Sequence, residues 1–111
     1  MSNNTSLRYF ICGDNQLTNL DISANAALTY LGCHANQLTS LDVSNNTALE
    51  VLSFGKNQLS VIDVSNNTSL NEIRCYENQL TSLDLSTNTN LTKIAVSYTH
   101  LRATRRRHIS Y

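Results

Sequence analysis

Three kinds of side chain in this sequence have chemistry to offer, and each recurs at one interval. Cys12, Cys33 and Cys75 are thiols in one column, where Phe54 takes the remaining place. Asp21, Asp42, Asp63 and Asp84 form a column of carboxylates, each followed two residues later by Ser23, Ser44, Ser65 or Ser86. Asn15, Asn36, Asn57 and Asn78 make one column of amides, and Asn25, Asn46, Asn67 and Asn88 a second. Thiols suggest a metal or a disulfide, and stacked carboxylates suggest calcium. A zinc site needs four convergent ligands, which neither spacing nor neighbours supply. Cys12 and Cys33 could approach disulfide distance, but parallel side chains on adjacent strands give poor dihedral geometry. Buried free thiols acting as small apolar groups are expected. Few further oxygen ligands accompany the aspartates, so serine and threonine hydroxyls or backbone donors are expected to offset their mutual repulsion.

Catalysis finds little support. His34 follows Cys33, but neighbours on a strand point to opposite faces, so no thiolate–imidazole pair forms. Asp14, His34 and Lys56 can meet near one turn, without a nucleophile or cleft. His100 and His108 sit in a C-terminal segment of different character. No catalytic, metal-binding or cofactor-binding residue is assigned, and the chain is read as a non-enzyme.

The elements that position these columns follow from the interval. Leu7, Leu28, Leu49 and Leu70 each open a 21-residue unit reading L-x-x-L-x-C-x-x-N-Q-L-x-x-L-D-V-S-x-N-x-x, and Leu91 opens a fifth. A short fixed period indicates a solenoid whose units bury their apolar faces only by stacking. Within a unit, Leu28-x-x-Leu31-x-Cys33-x-x-Asn36 is echoed by Leu38-x-x-Leu41-x-Val43-x-x-Asn46. Leu31/Cys33 and Leu41/Val43 share a strand face at that spacing. The pattern therefore predicts two short parallel strands per coil on opposite walls, all-β with irregular turns. Helix is disfavoured in the second half, where Asp, Ser, Asn and Thr compete with helical hydrogen bonds. Six inward columns follow, each side chain worth roughly 1.5–3 kcal/mol when fully buried, less the ordering entropy. Asn15, Asn36, Asn57 and Asn78 are expected to form a structural ladder bonding turn backbone within their own coil and the next.

The units resemble the short 21-residue class of bacterial leucine-rich repeats, with the pattern L-x-x-L-x-L/C-x-x-N-x-L-x-x-L-D-L-x-x-N-x-x, over residues 1 to about 95. The resemblance implies a right-handed solenoid of four to five coils. It also implies a larger secreted or surface-attached bacterial protein that binds rather than catalyses. Phe54 departs from the pattern and is expected to bulge or repack its column.

The repeat region is assigned to residues 1–95: a partial repeat at 1–6, full repeats at 7–27, 28–48, 49–69 and 70–90, and the start of another at 91–95. Residues 1–7 match 64–70 with Met in place of Val, so the chain is read as opening inside a repeat, a truncated reading frame. Residues 96–111 leave the pattern. Residues 95–103 resemble one frame of a translated sequencing-library adaptor, so this tail is expected to be artefactual or disordered. The alternative is a basic tail, with Arg102, Arg105, Arg106 and Arg107 binding nucleic acid or an anionic membrane. All eight acidic residues lie before residue 96, opposed there only by Arg8, Lys56, Arg74 and Lys93. That acidic body argues against nucleic acid as its partner. No apolar run approaches the roughly 18 residues of a membrane helix, and no signal peptide opens the sequence.

The outward positions of the first wall behave differently from the core. Tyr9, Ile11 and Gly13 give way to Tyr30, Gly32 and His34, then Val51, Ser53 and Gly55, then Glu72, Arg74 and Tyr76. Divergence there, with tyrosine, histidine and arginine enriched, suits a contact surface. Tyr9, Tyr30, His34, Arg74 and Tyr76 are the residues expected to touch a protein or carbohydrate ligand, with further repeats or domains of the parent chain as additional neighbours. The rival is a spacer that binds nothing.

Overall fold

The computed structural model describes residues 5–95. Five three-residue strands, β1 (Tyr9–Ile11), β2 (Tyr30–Gly32), β3 (Val51–Ser53), β4 (Glu72–Arg74) and β5 (Lys93–Ala95), form one parallel sheet in chain order. Tyr9 pairs with Tyr30, Tyr30 with Val51, Val51 with Glu72 and Glu72 with Lys93, so every coil advances the chain by one strand. The result is an all-β solenoid of about four turns. No helix among the described residues is long and apolar enough to cross a membrane.

The six inward columns form one continuous core. In the second coil Leu28, Leu31, Cys33, Leu38, Leu41 and Val43 are buried, as are their counterparts in the third and fourth. Phe54 is fully buried without bulging its strand. Its N–H donates to the Arg74 carbonyl at 2.8 Å, and Cys33 N–H to the Ser53 carbonyl at 2.9 Å, so the ladder runs on through it. Burial is graded toward the ends. Leu7, Phe10, Cys12, Leu17 and Leu20 of the first coil, and Ile94 of the fifth, are only partly covered.

Among the described residues the second wall is not a strand ladder, which corrects the expectation of two strands per coil; it carries there only an isolated bridge at Leu83. Its backbone bonds locally instead. Asn46 N–H donates to the Val43 carbonyl at 3.0 Å and Leu49 N–H to the Asn46 carbonyl at 3.2 Å, giving two consecutive tight turns, repeated in the neighbouring coils. Just before them, the Asp42 carboxylate accepts from both the N–H and hydroxyl of Ser44, at 2.9 and 2.6 Å. Such aspartate turns hold the chain in a bend and leave no run of donors for a neighbouring strand.

Two ladders of asparagine replace the missing sheet. Asn67 Nδ2 donates to the Val43 carbonyl of the preceding coil at 3.0 Å and to the Asn46 carbonyl at 2.8 Å. Asn46 and Asn88 repeat this arrangement. On the first turn, Asn57 Nδ2 donates to Phe54 and Gly55 in its own coil and to Cys33 in the coil before, while its Oδ1 accepts the Leu38 N–H at 3.0 Å. These bonds reach back to the preceding coil rather than on to the next.

Asn67→Ala is therefore expected to cost about 2 kcal/mol, because two buried carbonyls each lose a donor. Val61→Ala, at a side chain 71% exposed, should stay within about 0.5 kcal/mol. Asn67→Asp should be less stable than Asn67→Ala at pH 7, since a carboxylate there faces two carbonyl oxygens. Burial raises the folded pKa of such a group, so the gap should narrow as the pH falls toward 4. Urea unfolding across that range reads all three.

Candidate functional site

The outward face of the sheet carries Tyr9 and Ile11 on β1, Tyr30 and Gly32 on β2, Val51 and Ser53 on β3, and Glu72 and Arg74 on β4. Strand register sets Tyr9 directly beside Tyr30. Their rings stack with centroids 5.2 Å apart and planes 7° from parallel, within the range where aromatic pairs attract. Tyr9 and Ile11 are each 66% exposed. A Cβ at Gly32 would make only ordinary van der Waals contact, 3.4 Å from the Tyr30 ring and 3.8 Å from Ile11, so the pair does not depend on the glycine.

Arg74 forms the second pole of this wall. Its Nε donates to the Glu72 carboxylate, two residues earlier on the same face of β4. The Glu72 side chain is 15% exposed and that of Arg74 50%, so the carboxylate is sunk and the guanidinium stands out. The hydrogen bond to Glu72, and then its charge, raise the arginine pKa above its ordinary value; nearby Tyr30 and Tyr76 act in the same direction. Tyr76 lies over Gly55, where an added Cβ would come within 2.8 Å of the ring.

The five contact residues proposed from sequence thus separate into two groups. Tyr9, Tyr30, Arg74 and Tyr76 are linked by stacking and by electrostatic proximity. His34 folds over Gly13 at the rim, its Nε2 3.6 Å from Asp14 Oδ2. Sequence reasoning placed Glu72 on this wall but gave it no role. The available signal was an acid and a base two residues apart on one strand face. Also unforeseen is the left-handed backbone at Asp14, Ala35, Lys56 and Glu77, with φ of 54–58°. Each directly precedes a first-turn asparagine, and their differing residue types carry no signal of that conformation.

The remaining chemical columns are engaged internally. Asp21, Asp42, Asp63 and Asp84 are held below the ordinary carboxylate value of 3.8 by hydrogen bonds from the serine two residues on. At Asp21, Asp42 and Asp63 the hydroxyl contributes most, and at Asp84 the backbone N–H does. The three cysteines are free thiols. Burial pushes Cys33 and Cys75 up to about 12, with Cys12 adding slightly at Cys33, and raises the half-buried Cys12 less. Among the described residues, no three His, Cys, Asp or Glu side chains are grouped so as to hold a metal ion.

Comparison with known proteins agrees with this geometry. A family model described as the LVIVD repeat matches residues 52–78. No curated protein matches the chain. Among solved structures, the functional domain of InlJ from Listeria monocytogenes, described as including a cysteine ladder, is similar at 35% identity and a TM-score of 0.84. That match covers 86% of this chain and 21% of the neighbour. The internalin InlF from Listeria monocytogenes shares the fold at 24% identity and a TM-score of 0.75, covering 96% of this chain and 36% of its own. The chain therefore spans about a fifth to a third of these solved structures. It is a bacterial-type repeat protein with a leucine-rich-repeat-like solenoid.

Two measurements follow. The aspartate pKa values are depressed on folding, so their contribution to stability is complete above the ordinary 3.8 and is lost as the pH falls through the lowered folded values. The urea midpoint should decline below about pH 4, and less steeply in Asp42→Asn. With a disulfide-type thiol reagent at pH 8, Cys12 should react first. Cys33 and Cys75 should react only once urea opens the core.

Proposed function

We propose that this chain is a non-enzymatic recognition module, of the short 21-residue bacterial leucine-rich-repeat class, that binds a protein or glycan through its strand wall. The observation carrying this reading is the solvent-facing Tyr9–Tyr30 stack that continues toward Arg74 and Tyr76. The aspartates of the other wall are instead engaged by their own turns. Exposed aromatic and arginine side chains side by side are the usual composition of binding hot spots. The similarity to internalins supports a part in a larger bacterial protein at the cell surface or secreted, with partners outside the chain. The Cys12, Cys33 and Cys75 column is read as a cysteine ladder like that described for InlJ, interrupted by Phe54. It serves packing, and no cofactor is assigned.

The spacer reading draws on one observation, the near-identical Asp–Ser turns of the second wall, which repeat without presenting a distinct feature. Panning the full chain against a random heptapeptide display library and a glycan array separates the two. Binding should fall about tenfold or more in the double variant Tyr9→Ala/Tyr30→Ala and be unchanged in Val61→Ala. Retention that ignores both variants, or no retention at all, supports the spacer.

A further inference from the structure

Resting on the strand wall as the binding face, we infer that its ligand is an extended peptide carrying a single carboxylate. The carboxylate sits on Arg74, and an apolar side chain about four residues away lies on Ile11 and the Tyr9–Tyr30 pair. The first argument is the state of the guanidinium. Arginine has five N–H donors, and Glu72 occupies the one on Nε. Glu72 is largely buried while Arg74 is half exposed, so the Nη edge is held outward. A planar guanidinium fixed in this way is suited to a carboxylate accepting two parallel N–H bonds.

Charge then selects among anions. Through residue 95 the chain has eight acids against four bases. Apart from Arg74, the strands of this wall supply one exposed cation, Lys93. A polyanion such as a sulfated glycan or a nucleic acid would meet net repulsion, whereas one carboxylate needs only one guanidinium. Beside it, the outer faces and edges of the stacked rings, with exposed Ile11, offer an apolar seat for an aliphatic or aromatic side chain. Ile11 and Arg74 stand three coils apart, about 14 Å at the spacing of paired strands, a distance crossed by about four residues of extended chain, at which two side chains share a face.

The test uses the full chain and acetylated, amidated heptapeptides of the form apolar–x–x–x–Asp, whose two named side chains share a face of an extended chain, with Asp→Asn as the paired control, read by fluorescence anisotropy. Replacing the peptide Asp by Asn should weaken binding about tenfold on the native chain and have no effect on Arg74→Gln. Arg74→Lys should restore only part of the loss, since a lysine cannot be held through Nε by Glu72 and still present a fork. Melting temperatures within a few degrees of the native chain establish that the variants are folded. Peptides that depend on Tyr30 but ignore both Asp→Asn and Arg74→Gln would overturn the carboxylate and leave the wall standing. Arg74-dependent binding of a heparin oligosaccharide, with no peptide bound, would overturn it in favour of a polyanion. If neither probe depends on Tyr30 or Arg74, the wall itself is the wrong face.

Discussion

Everything in this molecule depends on finding donors for backbone carbonyls that stacking buries at the turns. A flat coil laid on another coil loses water from both of its corners. At those corners the chain bends too sharply for a sheet ladder. Asparagine solves the problem because its short side chain carries two N–H bonds and an acceptor at the right reach. At the first turn the amide is fully used, donating to carbonyls in two coils and accepting the Leu17, Leu38 or Leu59 N–H. At the second turn the solution is less complete. The Oδ1 atoms of Asn46, Asn67 and Asn88 are buried without a partner. That costs about 1–3 kcal/mol for each such oxygen, and it is offset by the two carbonyls each Nδ2 serves.

Once the corners are fixed, the strand wall follows with little freedom. Register is set coil by coil, so an outward side chain always stands beside the residue 21 positions away. This converts sequence divergence directly into surface pattern. Tyrosine following tyrosine becomes a stack, and glycine preceding a ring by one coil becomes a seat for it, as at Gly55 beneath Tyr76. Gly13 and Gly55 work through absent volume, beneath His34 and Tyr76. No glycine of this wall has positive φ; the left-handed backbone falls instead on Asp14, Ala35, Lys56 and Glu77.

The inward leucines and both asparagine columns were legible in the sequence, since burial and turn satisfaction impose the same residue at every repeat. The second strand was misread because Leu41 and Val43 have strand spacing, and apolar periodicity cannot tell a strand from an extended segment entering a turn. Asp42 and Ser44 between and after them were the better guide. Phe54 was expected to bulge or repack its column; the strand does not bulge, and the ring is fully buried in the column of Cys33 and Cys75. Of the wall, the exposed tyrosines and Arg74 could be nominated from divergence alone. That Glu72 is sunk beside Arg74, and that His34 leans toward Asp14, are matters of rotamer and depth that a one-dimensional pattern does not encode.

In a stack where each coil touches only its neighbours, a contact that spans two coils couples their opening. The Tyr9–Tyr30 pair is such a contact, one ring on each of two adjacent coils. A ligand clasping both rings would act as a rivet, and its grip would register as a slower unzipping of the entire stack.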